Sequence, residues 1–254
     1  MSSIAERHKY ILETLAKNGF VKVNDIANEL EVTPVTIRKD LKYLESKNLL
    51  YRTHGSASPI NPLTCDIDVQ EKEKLRTEEK RRIAAAAQKL IEENDSIIIA
   101  SGSTVHMLAE QITPINHLTV VTASLKTALL LNANNNIEVI QLGGTVRKNS
   151  SSVIGEYTSK FFEQITCSKL FLGVDGIDLE HGITNSNIEE AILNKKMIEA
   201  SLRTIILADS SKFGRRGFGK ICNLDCIDVI ITDSGISDTM AKELEEMGVE
   251  LIIA

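Results

Sequence analysis

Apolar positions in the first fifty residues recur at helical spacing, and the period then changes. Ile4, His8, Ile11, Leu12 and Leu15 share one face of a helix predicted from Ile4 to Lys17, and Gly19 suits the left-handed residue that ends it. A second stripe of Ile26, Ala27 and Leu30 follows Asn24, an N-cap candidate, and Glu31-Val32 makes the turn after it. Thr33 then offers a hydroxyl cap. Pro34 fits the first helical position, where its missing N–H has no helical partner to lose. Ile37, Leu41 and Leu44 recur at i, i+4 and i+7 and turn inward, while Val35, Thr36, Arg38 and Lys39 fall in the first two turns of this third helix. Leu49 to Ser56 reads as a β-type run closing on Gly55.

Further along, short apolar runs alternate with helical periods. Residues 97–100, 118–122, 137–142, 169–174, 204–208, 229–232 and 249–253 are the strand candidates, most of them continuously apolar and β-branched. Such runs fit parallel strands covered on both faces, which makes this part an open α/β sheet. Between the two patterns, Pro59 and Pro62 stand in an aperiodic charged stretch that reads as a linker on which the first unit can move. The expected organisation is a head at residues 1–57, a linker at 58–76 and a body at 77–254. Thr77-Glu78-Glu79-Lys80 is expected to cap a helix from Ile83 to Glu92, whose alanines 84–87 suit close packing on the sheet.

Three short helices followed by a β-run are the pattern of a winged helix-turn-helix, whose second helix of the pair reaches base edges and phosphates. Candidate contacts with double-stranded DNA are Thr33, Val35, Thr36, Arg38, Lys39 and Lys42 on the third helix, with Arg52 and His54 on the wing. A three-helix protein-interaction module is the competing reading. Residues 1–56 hold nine Lys/Arg and seven Asp/Glu, a net of +2, whereas the chain of 254 residues carries −6, so the remainder carries −8. The asymmetry suits a head that approaches phosphates, and assembly into a dimer or tetramer would multiply it.

In open α/β sheets ligands bind beyond the carboxyl ends of the strands, so the residues just after each strand matter most. Ser101-Gly102-Ser103-Thr104 offers hydroxyls and free N–H groups at a helix start, a cradle for phosphate. Thr122 and Ser124 follow the second strand. Gly143, Gly144 and the cation Arg147 follow the third, Asp175 and Asp178 the fourth, and Lys212 comes from the loop after the fifth. Their convergence on one edge points to a site for a small anionic ligand. No spacing asks for a metal or another cofactor: Cys222 and Cys226 lack a second ligand pair, so the four cysteines, with Cys65 and Cys167, are expected to be buried thiols. With no apolar run of about 18 residues and no signal-like start, the expected location is the cytoplasm.

Two resemblances then sharpen this reading. Arg7, Ile11 and Leu15 followed by Thr33 and Thr36-Ile37-Arg38-Lys39-Asp40-Leu41 resemble the signature of the DeoR family of bacterial transcriptional regulators. That resemblance implies Thr36, Arg38 and Lys39 as major-groove contacts, with Asp40 pairing structurally. Ser101-Gly102-Ser103-Thr104, residues 143–147, residues 173–178 and residues 208–213 are similar to the family's sugar-phosphate-sensing domain, which shares its fold with ribose-5-phosphate isomerase. From Leu170 to Glu180 the likeness is greatest to repressors of amino-sugar operons. The implied function is a repressor of a carbohydrate catabolic operon, relieved by a phosphorylated sugar. An isomerase-like enzyme with a fused DNA-binding head is the alternative, and against it the isomerase's glutamate base falls at or near Asn194, an amide that cannot accept the proton.

Overall fold

The structure is a computed structural model and describes residues 3–47, 49–53, 55–58, 66–112 and 116–254. The head opens with α1 (Ile4–Asn18), started by a Ser3–Glu6 capping box and ended by Gly19 at φ 74°. β1 (Val21–Lys22) runs directly into α2 (Val23–Glu29). Asn24 is therefore inside the helix and not its cap. The reason is the wing: Val21 and Lys22 pair with Ala57 and Ser56, and the Val23 N–H donates to the Gly55 carbonyl, so the chain enters the helix early.

α3 (Pro34–Ser46) begins as expected, with the Thr36 N–H donating to the Thr33 hydroxyl at 3.3 Å. β2 (Tyr51–Thr53) and β3 (Ser56–Ser58) form the wing hairpin. Ile11, Leu15, Ile26, Ile37, Leu41, Leu44 and Leu50 make the head's core, whereas Ile4 points to solvent. The linker prolines Pro59 and Pro62, Cys65 and the wing residue His54 lie outside the described residues. The segment that follows is not shapeless: α4 (Val69–Lys74) is a short helix capped by Asp68.

The body starts at α5 (Thr77–Gln88), with Arg76 before it in the left-handed region at φ 53°. Thr77 to Lys80 are thus already helical, and Glu92 lies past the helix end. The Glu92 N–H donates to Asp95, and Lys169 bridges both carboxylates at 3.0 and 2.6 Å, which turns the chain there. Then come β4 (Ser96–Ile99), α6 (Ser103–Gln111), β5 (Leu118–Thr122), α7 (Leu125–Leu131), β6 (Ile137–Gln141), a hairpin of β7 (Thr145–Arg147) and β8 (Ser152–Ile154), and α8 (Glu156–Phe161). After them follow β9 (Lys169–Gly173), β10 (Gly176–Asp178), β11 (Gly182–Asn185), α9 (Ile188–Glu199), β12 (Thr204–Leu207), β13 (Gly219–Cys222), β14 (Val229–Thr232), α10 (Asp238–Glu246) and β15 (Glu250–Ile253).

Seven of these strands form one parallel sheet in the order β15-β14-β12-β9-β4-β5-β6. All seven predicted runs are in it. Alternate residues bury on opposite faces: Ile98, Leu170, Leu172, Ile206 and Ile230 in one core, and Ile97, Ile99, Phe171, Ile205 and Ile231 in the other. Two covered faces explain why the runs lack polar alternation. The chain winds outward from β4 through β5 and β6 in one direction and from β9 through β12, β14 and β15 in the other. The switch between β4 and β9 opens the crevice in which a ligand can sit. A small antiparallel sheet, β10-β11-β13, stands beside it.

Candidate functional site

Two surfaces carry chemistry. On α3, Thr33, Val35, Arg38, Lys39 and Lys42 are exposed and Thr36 is half-buried. The Arg38 and Lys39 side chains have no hydrogen bond or ion pair among the described residues. Asp40 points the other way, where Arg7 Nε donates to it at 2.8 Å and the His8 ring lies 3.1 Å away, so the acid ties α1 to α3. Arg52 is exposed on the wing with its Nε donating to Glu45 at 2.6 Å. The helix therefore offers a cationic face, and its two acids are both paired, Asp40 with Arg7 and Glu45 with Arg52.

The second surface is a cavity of about 630 Å³ at the carboxyl edge of the large sheet. Ser101, Gly102, Ser103 and Thr104 after β4, Asp175 after β9, Arg147 at the end of β7 and Lys212 after β12 all line it. Gly102 holds φ 138° at the start of α6, with no side-chain cap on the helix, so the first-turn N–H groups face the cavity unclaimed by a capping residue. The Lys212 ammonium has neither a hydrogen bond nor an ion pair among the described residues. Burial lowers its pKa, against the pull of Asp209 and Asp175. A half-buried ammonium without a direct partner has the charge and position to meet an anion.

Other expected residues lie elsewhere. The buried Thr122 hydroxyl donates to the Ile99 carbonyl at 2.7 Å and accepts from the Ser124 N–H, and Ser124 caps α7 through Thr127. Both are scaffold. At Gly144, φ 153°, an added Cβ would meet Thr158 Oγ1 at 2.2 Å and the Ile154 carbonyl at 2.6 Å, and the Gly143 carbonyl accepts from Thr158. This turn needs glycine for close packing. Asp178 does not line the cavity: it takes the Glu180 and His181 N–H groups and pairs at 2.9 Å with Arg216, which does line it. Cys167 is buried, but Cys222 is half-buried and Cys226 exposed, so thiol burial holds for the first alone among the described cysteines.

The structure also brings in residues that the strand-end rule passes over. The linker segment straps the cavity: Lys72 Nζ donates to Asp175 at 2.6 Å, Asp66 pairs with Arg147 and accepts from Asn149 at 3.0 Å, and Glu73 pairs with Lys126 at 2.7 Å. Burial raises the Asp175 carboxyl, but Lys72 and Lys212 outweigh it and hold Asp175 well below the usual carboxylate range. Lys80, on the inner face of α5, donates to the Lys72 carbonyl, and burial lowers its pKa to about 8. Glu190 lines the cavity beside Arg147 at 3.2 Å, and burial raises its carboxyl.

Comparison with known proteins fits both surfaces. The family described as DeoR C terminal sensor domain matches residues 75–234, and DeoR-like helix-turn-helix domain matches residues 7–62. A protein of Escherichia coli O157:H7 named for transcriptional repression of the aga operon is 34% identical over 255 residues, covering 100% of this chain and 95% of its own. A lactose phosphotransferase system repressor of Staphylococcus epidermidis (strain ATCC 12228 / FDA PCI 1200) is 35% identical over 252 residues, covering 97% of this chain and 98% of its own. Ribose 5 phosphate isomerase A from Neisseria gonorrhoeae aligns with 53% of this chain and 52% of its own at 22% identity and a TM-score of 0.39. With both regions matched and relatives similar from end to end, the chain belongs to the DeoR family of transcriptional regulators.

Proposed function

We propose that this protein is a repressor of a carbohydrate or amino-sugar catabolic operon. In this reading α3 enters the major groove of operator DNA and the body cavity takes a phosphorylated sugar whose binding relieves repression. One observation carries the effector half: the unpartnered ammonium of Lys212 faces a cavity that also receives the uncapped start of α6. A dianionic phosphate satisfies both, because helix N-termini and buried cations each favour negative charge. The names of the two relatives, which speak of the aga operon and of lactose uptake, support a sugar-linked role.

The protein works in the cytoplasm as a homo-oligomer, a dimer or tetramer, whose heads read two half-sites. No described helix is long and apolar enough to cross a membrane. Ligand preference for one arrangement of heads by a few kcal/mol is enough to lower operator affinity.

The test is calorimetry of glucose 6-phosphate, glucosamine 6-phosphate and fructose 6-phosphate against the full chain. One of them is expected to bind and to weaken the complex with a duplex selected from a random pool. A flat response to all three overturns the effector assignment.

Glu190 favours a second reading, an isomerase-like enzyme. Its buried carboxyl, held above the usual range, sits in the cavity one turn before Asn194 and has the character of a general base. Arg147 engages that carboxyl at 3.2 Å, which opposes proton abstraction and supports binding without turnover. NMR of the same three compounds after incubation distinguishes the two: a new sugar phosphate supports the enzyme, and unchanged spectra support the sensor.

A further inference from the structure

The head reaches the cavity directly. Phe20, in the turn after α1, meets two guanidinium groups of the body, with Arg76 Cζ 4.9 Å and Arg215 Cζ 5.1 Å from its ring centroid. Lys22 adds a hydrogen bond at 3.0 Å to the Gly235 carbonyl, in the loop after β14. Phe20, Arg76 and Arg215 all line the cavity together with Lys212. Phe20 takes no part in the apolar core of the head.

Arg76 lies 3.6 Å from Asp209 and 3.7 Å from Glu79. Arg215 has no ion pair among the described residues. The two guanidiniums therefore share one ring, and burial lowers the Arg215 pKa, with the repulsion of Arg76 opposed by the pull of Asp209 and Asp175. A guanidinium that stacks by its face keeps its N–H edge free for an oxyanion. An anion in the cavity would cancel the repulsion and leave both stacks in place.

We propose that Phe20 is a positioning residue that couples the head to the cavity: an anion bound beside Arg76 and Arg215 tightens their hold on the ring and fixes the head against the body. This rests on the sugar-phosphate reading of the cavity. Fixing one head sets the direction in which its α3 points, so in an oligomer the separation of two recognition helices becomes a function of ligand. By linkage the docked head raises anion affinity by the same factor.

The experiment uses the full chain with inorganic phosphate and glucosamine 6-phosphate as probes. Phe20→Leu keeps apolar volume and removes the ring, and Phe20→Tyr keeps the ring. In the unmodified protein a bound probe is expected to slow amide exchange over residues 17–22 and to change affinity for a selected duplex at least fivefold, within the usual range of allosteric coupling. Phe20→Leu is expected to bind probe with neither effect, shifting duplex affinity less than twofold, and Phe20→Tyr to restore both. Coupling in Phe20→Leu equal to that of the unmodified chain overturns the proposal while leaving the cavity reading intact. Failure of both probes to bind the unmodified chain overturns the cavity reading and this coupling with it.

Discussion

Head and body both rely on lysine and arginine, but they hold them in opposite environments. Arg38, Lys39 and Lys42 stand in solvent on α3 with their charges unspent, whereas Lys72, Lys80 and Lys212 are drawn into the body around a cavity. An exposed cation costs little and acts on a polyanion by releasing counterions, so its effect depends on salt and hardly on pH. A cation drawn in from water has lost hydration, and its protonation depends on a matching anion: Asp175 already keeps Lys72 charged, whereas burial lowers Lys80 and Lys212. The same residue types thus serve a long, uniformly charged partner in one region and a small, discrete one in the other.

The contrast can be broken first at the head. Replacing Arg38 and Lys39 together with Ala should weaken binding to a selected duplex by about 2–5 kcal/mol and reduce the salt slope by about 1–2, read by fluorescence anisotropy at several salt concentrations. Unchanged affinity would remove α3 from the interface. Asp40→Ala strands Arg7 and His8 in a half-buried site, and head stability should fall by about 2–4 kcal/mol in urea unfolding followed by circular dichroism.

In the body, Lys212→Met should lower sugar-phosphate affinity by about 1.5–3 kcal/mol by calorimetry while the ligand-free protein keeps its duplex affinity. A fall in both would merge two surfaces that are held to be separate. The smallest expected effect is on pH. The folded pKa of Lys80, about 8, lies below the ordinary lysine value of 10.5, so between these values the unfolded chain holds the extra proton. Lys80 therefore makes stability rise with pH from about 8 to 10.5 and costs stability below that window. Ligand affinity has the opposite sign, because a phosphate already dianionic prefers the protonated amine. It should fall about tenfold between about pH 7.5 and 9.5, and Lys80→Met should flatten both profiles.

Legibility in the sequence follows the strength of local signals. The seven core strands are readable because burial on both faces leaves no polar interruption, as in Ile97-Ile98-Ile99. β7, β8, β10, β11 and β13 are three or four residues long and each is interrupted by polar residues, with glycine too in β10, β11 and β13, so they escape the same reading. Lys80 did leave a trace. It shares the inward spacing i, i+3, i+4, i+7 with Ile83, Ala84 and Ala87, and a lysine on a buried stripe is a signal in itself. Asp66, Lys72 and Phe20 leave none, because each meets its partner across more than fifty residues of chain.

Strand-end position marks a candidate and no more. Ser101 to Thr104 and Lys212 face the cavity, while Thr122, Ser124, Gly144 and Asp178 are consumed by caps, close packing and a nearby arginine. By itself, then, the sequence determined the helices of the head, the parallel strands, the exposed cations of α3 and the loops from which a site could be built, since periodicity, capping and burial act over a few residues. Only the tertiary structure decided which of those loops share a cavity, which cations stay unpaired, and that Phe20 touches the body. Those outcomes depend on which distant groups are brought close enough to neutralise one another, and local spacing does not encode that distance.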